Sequence, residues 1–132
     1  MQPKRDIVLT RAEESIMQVL WQIERGVVKD IIEHLPDPKP AYNTVSTIIR
    51  ILEAKKIVTH KAYGKTHEYF PLISKDDYSR RFLKGFVKGY FNNSFQKMVS
   101  FFSEGEEIDI LELEQTMKIM QQQLENRKKT KS

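Results

Sequence analysis

The sequence predicts a mainly α-helical protein with one small β-hairpin. Three observations carry that prediction. Apolar residues recur at helical spacing in three stretches before residue 55. Two short runs rich in β-branched and aromatic residues then flank a Gly-containing turn. After them, helical spacing returns in two further stretches and continues to about residue 125. A period near 3.6 marks an amphipathic helix, and β-rich runs around a turn mark a hairpin.

Each element has its own reason. Residues 1–8 read as a flexible arm, because Pro3 and the polar start oppose early structure. Thr10-Arg11-Ala12-Glu13 fits a capping box, a Ser or Thr answered three residues later by Glu. Behind it Ile16, Val19, Leu20 and Ile23 share one helical face beside Trp21, so a first helix runs from Arg11 to Glu24 and stops near Gly26. A shorter helix fits Val28–Leu35, and the alternating prolines of Pro36-Asp37-Pro38-Lys39-Pro40 end it. A third begins at Tyr42–Thr44 with Val45, Ile48, Ile49 and Leu52 inward, and Lys55-Lys56 closes it with positive charge. Residues 57–62 and 67–72 read as paired strands around Tyr63-Gly64-Lys65-Thr66. Ser74 caps a long helix to about Phe102, broken by Ser103-Glu104-Gly105. Asp109 caps a last helix to Glu125, followed by a basic tail over 126–132 that reads as disordered.

Composition removes whole classes of function. The chain has 132 residues, 39% hydrophobic and 30% charged, and no cysteine. Disulfides, thiolate nucleophiles, cysteine zinc sites and iron–sulfur ligation are thereby excluded. No apolar run reaches the roughly 18 residues of a membrane span, and no signal-peptide core opens the chain, so the expected location is the cytoplasm, without membrane insertion. The net charge of +4 hides alternating blocks. Residues 39–74 carry six basic side chains (Lys39, Arg50, Lys55, Lys56, Lys61, Lys65) against Glu53 and Glu68. Residues 75–103 are also net +4, residues 104–125 are net −6, and the last seven are net +4.

Three helices followed by a two-stranded wing is the winged helix-turn-helix order. A helix that enters a DNA major groove needs an apolar side for its own domain and short hydrogen-bonding side chains on the other. Asn43, Thr44, Ser46 and Thr47 supply that set, and Arg50 lies one turn further on, suited to phosphate. His60, Lys61, Tyr63, Lys65 and His67 cluster around the hairpin turn, where a wing touches backbone or minor groove. Blander readings stay open: Thr44 as a simple cap, the basic hairpin tip as merely solvated. Neither wing histidine has a carboxylate four residues away, so no metal site is expected, and no cofactor. Enzyme signals are weak, and a small enzyme is the least favoured alternative. Ser94-Phe95-Gln96-Lys97 matches Ser-x-x-Lys by chance, mid-helix and without companion motifs. Gly85 and Gly89 match Gly-x-x-x-Gly, but Lys84 and Lys88 leave only close helix approach or local flexibility.

The second half reads as an assembly unit. Phe82, Phe86, Tyr90, Phe95, Met98 and Phe102, with Tyr78, Phe91, Val99 and Phe101, give the long helix more aromatic surface than one following helix covers. Ile110, Leu113, Met117, Met120 and Leu124 repeat at alternating steps of three and four, the spacing of a coiled-coil seam. Pairing with a second copy is the expectation, with packing onto the winged domain as the alternative. Residues 1–74 then form a DNA-binding domain and 75–125 a dimerisation region. A protein-interaction module, with the winged domain as scaffold, is the competing function.

These residues resemble the BlaI/MecI/CopY family, the penicillinase-repressor type of bacterial transcriptional regulator. Leu9-Thr10-Arg11-Ala12-Glu13 with Trp21, Val28-Lys29-Asp30-Ile31, the run from Asn43 to Leu52, Lys55-Lys56-Ile57-Val58 and Gly64-Lys65-Thr66-His67-Glu68-Tyr69 carry the resemblance. It covers residues 7–72 well and continues more loosely to about 125. It implies a dimeric repressor on double-stranded, inverted-repeat operator DNA upstream of resistance or stress genes. By position it implies DNA contacts from Asn43, Thr44, Ser46, Thr47 and Arg50, from Lys61, Tyr63 and Lys65, and from Arg11. Two departures matter. Copper-responsive members carry a C-terminal cysteine cluster, which this chain lacks. β-Lactam-responsive members are cut between Asn and Phe, in the link between their dimerisation helices, when a membrane sensor protease signals. The corresponding bond here joins Phe101, standing where the Asn would be, to Phe102.

Overall fold

The computed structural model describes residues 8–105 and 108–131, so residues 1–7 of the expected arm lie outside it, with residues 106, 107 and 132. Among the described residues the elements follow in the order α1 (Arg11–Ile23), α2 (Val28–Glu33), α3 (Tyr42–Ala54), β1 (Val58–Tyr63), β2 (Thr66–Pro71), α4 (Lys75–Tyr90), α5 (Phe95–Glu104) and α6 (Ile110–Lys131). The two strands form one antiparallel sheet, a hairpin on a mainly helical chain. The chain divides into two compact units between Gly85 and Phe86, inside α4.

The first unit is built around one core. Ile16, Met17, Val19 and Leu20 of α1 meet Val28 and Ile31 of α2, Leu35, and Val45, Ile49 and Leu52 of α3. Ile57, Val58 and Tyr69 close it from the hairpin. The capping box forms as its sequence requires: the Glu13 N–H donates to Thr10 Oγ1 at 3.1 Å, and the Thr10 N–H donates to Glu13 Oε1 at 2.8 Å. Trp21 joins α1 to α4, its indole N–H donating to the Ile73 carbonyl at 2.9 Å and its ring lying 5.3 Å from that of the buried Tyr78. Burial, with Glu14 beside it, pushes the Tyr78 hydroxyl pKa up.

Gly26 does more than stop α1. The left-handed turn falls on Glu24 (φ 72°), while Gly26 exchanges two backbone hydrogen bonds with Tyr69, at 2.9 and 2.8 Å. A Cβ on Gly26 would stand 2.8 Å from Ile23 Cδ1 and 3.1 Å from Asp30 Cβ, so glycine lets the loop approach. α2 ends at Glu33, two residues short of Leu35, and the Lys39 ammonium donates to the Glu33 and Leu35 carbonyls at this end of the helix.

Two expectations are corrected downstream. The single helix from Ser74 to Phe102 is two, α4 and α5. Asn92 and Asn93 adopt left-handed φ of 51° and 62°, which Asn tolerates better than most residues. Ser94 then caps α5, accepting from the Lys97 N–H at 3.1 Å. The Ser94–Lys97 pattern therefore sits at a helix start, not mid-helix, and its hydroxyl serves as a cap. α6 continues past Glu125 to Lys131, so the stretch read as a disordered tail is its last turns. No Gly or Pro interrupts residues 110–131, and cationic side chains suit a helix C-terminus. Ser74 and Asp109 do cap as read, accepting from the N–H groups of Asp77 and Glu112. A Cβ on Gly85 or Gly89 would meet nothing within 4 Å, so the chain makes no close approach there.

In the second unit, rings pack in a chain: Phe86 on Tyr90 and Phe91, and Phe91 on Phe101. No residue of α5 is buried. α6 leaves Ile110, Leu111, Met117, Ile119, Met120 and Leu124 exposed.

One buried charge ties the first unit together. Glu13 is 3% exposed, and the Lys55 ammonium reaches its two oxygens at 3.0 and 2.8 Å. Burial pushes the Glu13 carboxyl pKa up, but Lys55 and the two bonds from Thr10 outweigh it, and the net effect is below the ordinary 4.5. A lowered native pKa contributes stability that is full above the ordinary value and drains as pH falls through the lowered one. Glu13→Gln keeps the side-chain shape and removes the charge. It is expected to cost about 1–3 kcal/mol at neutral pH, discounted because Lys55 can return to water, and to lose less stability than the parent at about pH 3. Thermal unfolding at both pH values measures this; equal acid loss in the two proteins would overturn it.

Candidate nucleic-acid interface

α3 has two chemically distinct sides. Val45, Ile49 and Leu52 are buried in the core, while Asn43, Thr44, Thr47 and Arg50 are exposed and Ser46 is half-buried. Helix periodicity produces this split, since positions three and four apart share a face. The helix begins without a side-chain cap: its N-cap is Ala41, and Thr44 is the third helical residue. The reading of Thr44 as a simple cap is therefore corrected. The first-turn N–H groups of α3 point out beside Asn43 and Thr44 with no side-chain acceptor of the chain's own at the N-cap, an arrangement favourable to an anion. The Thr47 hydroxyl donates back to the Asn43 carbonyl at 2.8 Å, which leaves its methyl and an acceptor lone pair outward. Arg11, the first residue of α1, is exposed.

The hairpin turns on two residues, Gly64 at φ 65° followed by Lys65, with Tyr63 and Thr66 as the last pair. A positive φ at the first turn position matches the strand twist and is a glycine conformation. Period two then separates the side chains. Lys61 and Tyr63 share one face with Thr66 and Glu68, the Lys61 ammonium 5.4 Å from the Tyr63 ring centroid. His60 shares the other face with His67 and Tyr69. The expected single cluster of His60, Lys61, Tyr63, Lys65 and His67 around the turn is thus corrected. Only Lys65 lies in the turn with Gly64, and the histidines face away from Lys61 and Tyr63.

The histidine face is tied to α3. His60 Nδ1 contacts Glu53 Oε2, the rings of His60 and His67 stack at 4.0 Å with 8° between planes, and Tyr69 presents its edge to both. Tyr69 is buried, and burial pushes its hydroxyl pKa up; Glu53 adds to the effect and Arg50 opposes it. Glu53 and Tyr69 escape a reading by residue type. The available signal was the turn: once Gly64-Lys65 is fixed, the register sets His60 opposite Tyr69. Among the described residues, no group of three or more His, Cys, Asp or Glu could hold a metal ion, and no helix is long and apolar enough to cross a membrane.

The assembly residues fall on three helices. Phe82, Phe86 and Tyr90 lie on α4, Phe95, Met98 and Phe102 on α5, and Leu113, Met117, Met120 and Leu124 on α6. Phe86, Met98 and Leu113 are half-buried and the others exposed. Phe101 and Phe102 sit in the last turn of α5, not in a link between helices, because nothing breaks that helix before Gly105.

The family model of the penicillinase repressor matches residues 9–122. The methicillin resistance regulatory protein MecI of Staphylococcus aureus (strain N315) is 25% identical over 113 residues, 85% of this chain and 92% of that protein. The penicillinase repressor of Bacillus licheniformis is 25% identical over 122 residues, 92% of this chain and 94% of that protein. The solution structure of the DNA binding domain of the repressor BlaI aligns with a TM-score of 0.49 at 25% identity, covering 58% of this chain and 94% of its own.

Proposed function

We propose that this chain, which belongs to the penicillinase repressor family, is a DNA-binding transcriptional repressor that closes an inverted-repeat operator as a homodimer in the cytoplasm. The observation that carries the reading is α3, whose inner side is locked in the core while Asn43, Thr44, Thr47 and Arg50 stand on an exposed side at a helix start without a side-chain cap. Asn43, Thr44, Ser46 and Thr47 meet base edges, and Arg50, Arg11, Lys61, Tyr63 and Lys65 meet the phosphate backbone and minor groove. The part that reads DNA is residues 1–74, and the part that pairs is the helical region from 75 on. The named roles of its relatives, penicillinase repression and methicillin resistance regulation, support resistance genes as the target. No catalytic step is part of this function.

The apolar side chains that α5 and α6 leave exposed support the pairing. Contiguous exposed apolar surface of this kind marks an interaction site, and two copies present two reading helices to a two-fold operator. A membrane sensor protease is the proposed inducing partner. Cutting between Phe101 and Phe102 requires the last turn of α5 to open first, since that bond is helical.

A titration of a duplex carrying the chain's own promoter region, at two salt concentrations, tests the reading. Affinity is expected to fall steeply with salt by counterion release. Asn43→Ala is expected to cost about 1–3 kcal/mol and relax sequence preference, whereas Lys65→Ala weakens all sequences alike. Binding no tighter than to random duplex would overturn the repressor reading and leave a protein-interaction module. Light scattering at micromolar concentration is expected to give the mass of two chains; a monomer would overturn the pairing.

A further inference from the structure

We propose that His60 is a positioning residue for DNA binding: seated on Glu53 and stacked on His67, it sets the wing against the reading helix according to the proton occupancy of the pair. The proposal rests on the DNA-binding reading above. Its observations are independent of it.

α3 and the wing must meet one duplex together, so their relative placement decides how many contacts form at once. Backbone bonds seat the base of the hairpin at Gly26 and Tyr69. Further out, His60 and Glu53 make a side-chain bond between the wing and α3. His60 neighbours Lys61 on the same strand, and the two point to opposite faces. A tilt that pulls His60 off Glu53 therefore carries Lys61, its ring contact with Tyr63 and the Gly64–Lys65 turn with it.

The groups around this imidazole make the link responsive to protons. From α3 come the Glu53 carboxylate and, acting on the neighbouring Tyr69, the Arg50 guanidinium and Tyr42. From β2 come His67, stacked at 4.0 Å, and the edge of Tyr69. With a neutral His60 the Nδ1–H donates to a carboxylate. With a proton also on Nε2 the same bond joins opposite charges, and their Coulomb attraction strengthens it. A further proton on His67 would set two like charges face to face at stacking distance. One proton on the pair therefore holds the wing best, and the third histidine, His34, takes no part, since it bonds the Asp30 carbonyl on α2.

The test is the affinity of the full chain for a labelled duplex of its own promoter region, at fixed ionic strength. The parent is expected to bind about fivefold tighter at about pH 6 than at about pH 8. Glu53→Gln, which keeps an acceptor and loses the charge, is expected to flatten that difference to about twofold or less. His60→Gln retains a donor toward Glu53 and is expected to bind with the same flat profile. His60→Ala is expected to bind about threefold or more weakly at both pH values. His34→Gln keeps the parent profile. Circular dichroism establishes that each variant is folded. Full parental pH dependence in Glu53→Gln, or parental affinity in His60→Ala, overturns the proposal. Nitrogen-15 spectra of the histidine rings in the free chain give a readout without DNA: the His60 Nδ1–H resonance is expected to shift in Glu53→Gln and not in Lys65→Ala. An unmoved resonance removes the link. Absence of any duplex binding by the parent would strike the repressor reading, while the link would still be judged by the spectra.

Discussion

A two-stranded hairpin is marginal in water on its own, because it lacks a second layer to cover its apolar face. Here the paired backbone bonds between Gly26 and Tyr69 supply the missing neighbour. They fix β2 to the loop between α1 and α2 and seat the Tyr69 ring in the core with Val58. A third bond, from the Leu72 N–H to the Ile57 carbonyl at 2.8 Å, closes the base of the hairpin. What the wing displays follows from that seat. With Tyr69 inward, His60 opposite it must face α3, and Lys61 and Tyr63 must face away. A Cβ at position 26 would press on Ile23 Cδ1 at 2.8 Å and on Asp30 Cβ at 3.1 Å, so glycine suits the close approach that the two Gly26–Tyr69 bonds need.

α3 is held with comparable economy. Its inner side buries Val45, Ile49 and Leu52. Before it, Lys39 gathers the carbonyls that end α2 and so holds the proline-rich turn. At its end Lys55 reaches the buried Glu13 at the start of α1, 42 residues away in sequence. On the proposed function, a helix fixed at its approach, along its inner side and at its end meets DNA already ordered, which keeps the ordering cost of the complex low.

Local chemistry was legible in the sequence; distant pairing was not. The Thr10–Glu13 box, Ser74 and Asp109 could be read because a cap and its N–H partner lie three residues apart. The order of helices and hairpin was legible from periodicity. The break between α4 and α5 was present in Asn92-Asn93-Ser94, but the aromatic face runs on across it, and that continuity outweighed the turn residues. Lys55 read as a favourable end charge because its partner is 42 residues away. The two histidines read as part of a basic tip because residue type alone does not tell the faces of a strand apart. Only the register does, and it depends on which two residues make the turn.

The helical second unit poses a different physical problem. α6 exposes apolar side chains on two opposite sides. Ile110, Met117, Met120 and Leu124 lie on the seam with the half-buried Leu113, while Leu111 and Ile119, eight residues apart, lie on the far side. A helix with a single seam needs one neighbour, and a helix apolar on opposite sides fits between two. Among the described residues Leu113 is half-buried, the other apolar side chains on both sides of α6 stay exposed, and no residue of α5 is buried. On the proposed pairing, the seam meets the same seam of the second copy, and the Leu111–Ile119 side is then free to take the aromatic surface of that copy's α5.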